Sequence, residues 1–193
     1  MNHPERVLLE PFLVAGITAR TNNAAEMDAK TAKIPLLWSV FFADGVANDI
    51  LNQTPNSPIY GVYHRYASDA NGDYSLTAGV SVASAALTVE DEGVETIAIV
   101  GGTYLIFTSQ SDAVEHIIQT WQTIWTYFEQ HPEICRAYQT DFEAYLGAGQ
   151  LSIYNTPIPY ADFIHRSSRT KRSQCAPNIG RTKGLSAHRT RTC

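Results

Sequence analysis

Apolar positions recur along this chain in two rhythms, every second residue in some stretches and every third or fourth in others, and the rhythms alternate in order. Residues 7 to 20, VLLEPFLVAGITAR, read as an opening strand rich in branched side chains. Thr21-Asn22-Asn23 then offers a helix start, with Asn23 and Glu26 spaced as a capping box. The helix carries Ile34, Leu37, Trp38, Phe41 and Phe42 as its apolar stripe, and Pro35 is expected either to kink it or to begin a second segment. Two strands follow, Ile59 to Tyr66 and Tyr74 to Ala83, joined by a loop whose Asn71-Gly72 is a strong hairpin signal.

The second half repeats the first in kind. Thr96 to Phe107 is a strand interrupted at Gly101-Gly102, where a bulge or a close backbone approach is expected. Asp112 with Glu115 offers a second capping box. Val114, Ile117, Ile118, Trp121, Ile124, Trp125 and Phe128 then keep a helical spacing until His131-Pro132 stops it. A last hairpin, DFEAYL and LSIYNTPI around Gly147-Ala148-Gly149, closes the pattern. The order strand, helix, strand, strand therefore occurs twice. It predicts an α+β fold of two pseudo-symmetric βαββ units, with antiparallel sheets, two main helices and a ligand cleft between the halves.

Charge divides the chain where periodicity ends. The net charge of −5 conceals an acidic body, residues 1 to 164, with six basic residues against all nineteen acidic ones, and a basic segment from 165 to 193 with no acid. An acidic body disfavours sequence-independent binding to phosphate backbones, and no direct DNA binding is expected. The domain is expected over residues 1–160 and a disordered tail over 161–193, either a tether for a nucleic acid or partner, or read-through into non-coding sequence. No run approaches the ~20 apolar residues of a membrane span, so a soluble, cytoplasmic protein is expected.

Candidate chemistry is sparse. Glu90-Asp91-Glu92 are consecutive and cannot all face one ion, and Cys135, Cys175 and Cys193 lie too far apart for paired zinc ligands, so neither metal nor cofactor is expected. Cys135 reads as a bystander thiol. His64 and His116 stand alone, without the nucleophile of a triad. What remains is Glu143, which alternation places on one face with Tyr145, and the hairpin reads as two strands each with a greasy face and a face of tyrosines and polar groups. Spacing leaves two readings open: a solvated strand residue, or a carboxylate set among rings as a seat for an organic cation.

The hairpin IYGVYHRY with DYSLTAGVSV, the GGTYLIF strand, the Trp-bearing second helix and the closing DFEAYL and LSIYNTPI, taken in this order over about residues 7 to 158, resemble the GyrI-like effector-binding domain. That module occurs at the end of multidrug-responsive transcription factors of the Rob and BmrR type, and as stand-alone proteins that include integron cassette products. The resemblance implies an aromatic cleft whose floor glutamate meets lipophilic aromatic cations. Glu143 matches that carboxylate, beside Tyr145. The aromatic walls map to Trp38, to Tyr60 or Tyr63, to Trp121 or Trp125, and to Tyr154. The resemblance also implies, as alternatives, a hydrolase of reactive small molecules using the same glutamate, or an interaction module for a transcription factor or topoisomerase.

Overall fold

The computed structural model describes residues 4–84 and 93–159. The first half holds β1 (Glu5–Leu9), β2 (Phe12–Thr21), the short helix α1 (Asn23–Glu26), α2 (Ile34–Ala43), the single turn α3 (Val46–Asp49), β3 (Ile59–His64) and β4 (Tyr74–Val82). The second holds β5 (Val94–Ile99), β6 (Gly102–Thr108), α4 (Val114–Gln130), β7 (Ile134–Arg136), β8 (Asp141–Gly147), β9 (Gln150–Asn155) and β10 (Pro157–Pro159). Eight strands form one sheet in the order β1-β6-β9-β8-β3-β4-β2-β5, with every pairing antiparallel, while β7 and β10 pair separately. Read outward from the central pair β8 and β3, the two arms of this order are equivalent: hairpin, first strand, then an edge strand. The expected α+β duplication is therefore present.

The opening strand was expected as one piece and is two, because its halves pair with different partners. β1 crosses to β6, and in exchange β5 crosses to β2, so each half edges the sheet of the other. The crossover lies at Pro11, which lacks the N–H a continuous ladder needs. Against it lies Gly101, where an added Cβ would come within 2.8 Å of the Pro11 ring, which accounts for the glycine at the interruption.

Both expected capping boxes are corrected. Asn22, not Asn23, caps α1 by accepting from the N–H of Ala25 at 2.8 Å. Glu26 instead reaches forward to accept from the N–H groups of Lys33 and Ile34, which satisfies the start of α2, and Pro35 begins that second segment. Ala113 is the N-cap of α4, and Ser111 rather than Asp112 serves that end, accepting from Ala113 N at 3.2 Å. At α1 the neighbouring asparagine supplies the bond that spacing assigned to Asn23, whereas α4 has no side-chain cap and Ser111 only steadies the N-cap residue before it. Cys135 is buried on β7 and is engaged in a disulfide, not a bystander thiol. The basic segment lies outside the described residues, and among those described no helix is long and apolar enough to cross a membrane.

The sheet is buried on both faces. On one, α2 and α3 cover Leu76, Ala78, Val80 and Val82, and α4 covers Leu105, Phe107, Leu151 and Ile153. The opposite face gathers Val14, Val62, Tyr104, Phe142 and Ala144, with Ile97 and Ile99 from the edge strand β5. The two helices thus share a face and leave β3 and β8 between them.

His64 sits on β3 with 4% exposure, its Nε2 at 2.8 Å from the Thr77 hydroxyl. Burial, aided by Arg65 and Arg20, lowers its pKa to about 4. Because the folded value lies below the ordinary one, the neutral ring supports the fold above about pH 6.5, and that support is lost as pH falls toward 4. The stability difference between wild type and His64→Asn, measured by urea unfolding, is expected to shrink or reverse by roughly 1–3 kcal/mol between pH 7 and pH 4.5. A pH-independent difference would assign the burial of His64 no electrostatic consequence.

Candidate functional site

β8 is the inner strand of the second half, and its alternation sends Asp141, Glu143 and Tyr145 to the helix-bearing face. Glu143 pairs with Gly61 on one side and Ile153 on the other, so its carboxylate rises at the centre of the sheet with 2% exposure. Oε1 accepts from the Tyr63 hydroxyl and from Trp121 Nε1, both at 2.8 Å, and Oε2 accepts from the Tyr145 hydroxyl at 2.9 Å. Gly61 makes the room. A Cβ there would lie 3.0 Å from Oε2 and 3.0 Å from Trp38 Cζ2, between the carboxylate and the indole of α2.

Rings close the rest. Tyr63 meets Trp121 at 4.9 Å, Trp38 meets Tyr145 at 5.2 Å, and Trp38 stacks on Phe42 at 5.7 Å with an interplanar angle of 20°. All three donors to Glu143 are neutral, and none of the ion pairs among the described residues includes it. Burial raises its pKa above the ordinary carboxylate value, while the bonds from Trp121, Tyr63 and Tyr145 pull in the other direction. Burial and the facing carboxylate hold Tyr63 and Tyr145 far above the ordinary phenol, so both remain donors.

Five of the candidate residues therefore converge: Glu143, Tyr145, Tyr63, Trp38 and Trp121. Three do not. Tyr60 and Tyr154 lie on the opposite face, where Tyr154 stacks on Phe142 at 4.4 Å and Tyr60 meets the same ring at 5.9 Å. Register is the reason: Tyr60 pairs with Ala144 and Tyr154 with Phe142, each one residue out of phase with Glu143. The reading of one greasy and one tyrosine face failed because both faces are buried. Trp125 lies one turn beyond Trp121 on α4, 38% exposed and outside the cluster.

Sequence reasoning missed a second group beside the first. Asp141, wholly buried, accepts from Arg136 Nε at 3.1 Å, from Arg136 NH2 at 2.8 Å and from the Tyr66 hydroxyl at 2.9 Å, all on Oδ2. Its Oδ1 accepts from Thr156 N at 3.2 Å. The Arg136 guanidinium lies 4.8 Å from the Tyr138 ring centre, 5.1 Å from Trp121 and 5.5 Å from Tyr66. Asp141 could have been found, since it stands two residues before Glu143. Tyr66 could not, because Arg65 adopts a left-handed backbone, φ 51°, and ends the alternation that would have sent Tyr66 to the other face.

A buried carboxylate thus lies in a ring-lined seam between the duplicated halves. The model of the GyrI-like small molecule binding domain matches residues 3–156, and the chain belongs to that family. Among solved structures it is similar to an integron cassette protein, VCH_CASS2, from the mobile metagenome of Vibrio cholerae. That likeness has a TM-score of 0.66 and 30% identity, covering 81% of this chain and 96% of the other. It is also similar in fold to SAV2435, solved bound to tetraphenylphosphonium, with a TM-score of 0.63, 15% identity and coverage of 86% and 100%. A protein of Staphylococcus aureus MU50 gives 0.62 and 16% identity, covering 81% and 97%. No curated protein sequence matches.

An ionised Glu143 without a counter-charge weakens the empty protein. Its raised pKa means that the fold favours the protonated form, so stability from this group is gained as pH falls and is lowest above the folded value. Glu143→Gln is expected to raise the melting temperature at pH 8 by about 2–4 °C, with the gain disappearing near pH 4, in calorimetric scans of both proteins. A lowered melting temperature at pH 8 would mean that the three donors outweigh the cost of the buried charge.

Proposed function

We propose that this domain binds lipophilic aromatic cations at Glu143, with Tyr63, Tyr145, Trp38 and Trp121 as the surrounding wall. One observation carries the reading: a carboxylate with 2% exposure is met only by neutral donors, so its charge is solvated by dipoles and lacks a partner. A cation brought beside it supplies that partner, and the protein need not pay again for desolvating the acid. Flat rings add cation-π and stacking attraction of roughly 0.5–2 kcal/mol each, with little demand on ligand outline. Selectivity for charge with tolerance of shape follows. An overall affinity in the micromolar range, about −8 kcal/mol, is the expected scale.

Access follows from the same rings. Trp38 and Tyr145 are half-buried and Phe42 is 60% exposed, so the outer wall is made of side chains that border solvent, whereas Trp121 at 8% is fixed in the core. A ligand reaches Glu143 when Trp38 and Tyr145 part. Hydrolysis at the same glutamate, and an interaction role with a transcription factor or topoisomerase, have no comparable observation behind them among the described residues. His64 and His116 are engaged with Thr77 and Ser111.

The tetraphenylphosphonium carried by SAV2435 suggests the first probe. In calorimetric titrations at pH 8, tetraphenylphosphonium is expected to bind wild type in the micromolar range and Glu143→Gln at least tenfold more weakly, about 1.4 kcal/mol or more. Triphenylphosphine oxide, an uncharged analogue, is expected to change less than about twofold between the two proteins, because the rings that hold it are untouched. Equal losses for both ligands would remove Glu143 as the charge partner.

A further inference from the structure

Two buried carboxylates stand side by side on β8, and they are treated differently. Asp141 has a cation of its own: Arg136, 8% exposed, gives it two bonds and lies among Tyr66, Tyr138 and Trp121. Glu143 has none. One ring, Trp121, belongs to both groups, with Arg136 over its face and Glu143 at its Nε1–H. The arrangement is held at a cost, since Tyr138 keeps a left-handed backbone, φ 49°, that a large side chain rarely adopts. Arg136 is also tied to the Tyr66 hydroxyl at 2.9 Å, and Tyr66 leans on Tyr74, which leans on Tyr63, the other Oε1 donor.

We propose that Arg136 is a positioning residue for the ligand site, resting on the reading of Glu143 given above. Its guanidinium, fixed by Asp141 and Tyr138, holds the Trp121 indole with its N–H aimed at Oε1 and occupies the ring face that a second cation would otherwise use. A cation over an indole draws electron density from the ring and makes its N–H a stronger donor, which favours the charged form of the carboxylate. Because Asp141 cancels the arginine charge at short range, this help reaches Glu143 without closing its own salt bridge. The protein thereby spends one cation internally to keep a neighbouring acid ready for another, and the shared indole limits the seam to one ligand charge.

The indole N–H of Trp121 reports this without any ligand. The charged and titratable groups near Glu143 are Tyr63 and Tyr74 on β3 and β4, Tyr145 on β8 itself, and the Arg136–Asp141 pair; the three phenols have values pushed well up by burial. In nitrogen-edited proton spectra of labelled full-length protein, with the Trp121 signal assigned by Trp121→Phe, the resonance is expected to move as Glu143 takes up a proton. Arg136→Gln is expected to shift that midpoint upward by about one pH unit, and Arg136→Lys, which keeps the charge but loses the planar fork, by less. An unmoved midpoint in Arg136→Gln overturns the proposal.

Should Arg136→Gln fail to fold, Tyr138→Gly removes a wall of the box while relieving the left-handed backbone. Gly adopts that backbone freely, so the variant is expected to fold, to displace the Trp121 resonance and to lower tetraphenylphosphonium affinity about threefold to tenfold relative to triphenylphosphine oxide. An unchanged resonance and unchanged ratio in both Arg136→Lys and Tyr138→Gly overturn the proposal. If wild type binds the two ligands equally, the cation reading fails by itself, whereas the position of the indole midpoint still decides what Arg136 does.

Discussion

Everything at the centre of this fold turns on one uncompensated charge. A carboxylate removed from water loses several kcal/mol of hydration even after the protein relaxes around it, and neutral hydrogen bonds restore only part of that. Glu143 receives three, from Tyr63, Trp121 and Tyr145, and each favours its charged form against the burial that disfavours it. Phenol and indole suit the task for a further reason. They donate a strong hydrogen bond at one end and present an apolar ring along the rest of their length, so the groups that solvate the charge also form the greasy wall of the site.

The architecture exists to bring those groups to one point. β3 and β8 are the inner strands of the two halves and pair directly, so Gly61 faces Glu143 while Tyr63 and Tyr145, each two residues further along its strand, approach from either side. α2 and α4 cover the same sheet face on opposite flanks, and each brings one tryptophan, Trp38 or Trp121, to the seam. The exchange of edge strands, β1 to β6 and β5 to β2, ties each half to the other at the sheet's outer margins. Opening the seam therefore concerns rings and the half-buried flank of α2, not the separation of the halves.

Much of this was legible in the sequence, and what was not has physical causes. Helix and strand rhythms disclosed both halves, since buried faces impose their period on any chain. Glu143 and Tyr145 followed from simple alternation. Tyr60 and Tyr154 were misplaced because a sheet buried on both faces sets aromatics on each, and the sequence does not say which face holds the acid. The split of residues 7 to 20 needed knowledge of a partner more than eighty residues away, which no local pattern contains. Arg136 was invisible for a similar reason: it lies on β7, a three-residue strand too short to show a period, and its role depends on a left-handed turn at Tyr138.

The duplication also explains why only one of the two facing central positions, 61 and 143, holds an acid. Gly61 and Glu143 occupy matching places on the two central strands and lie directly opposite each other. A second carboxylate at position 61 would put two like charges a few ångströms apart in a place that already strains to keep one ionised, and one of them would take a proton. Even a methyl group there would crowd Oε2 and the Trp38 ring, each 3.0 Å away. On the proposed reading, a pseudo-twofold fold that binds a monovalent cation near its axis must break its symmetry at that axis, with the acid from one half and empty space from the other. Symmetry is kept where it is useful, in the paired tyrosines and tryptophans, and abandoned at the residue that carries the charge.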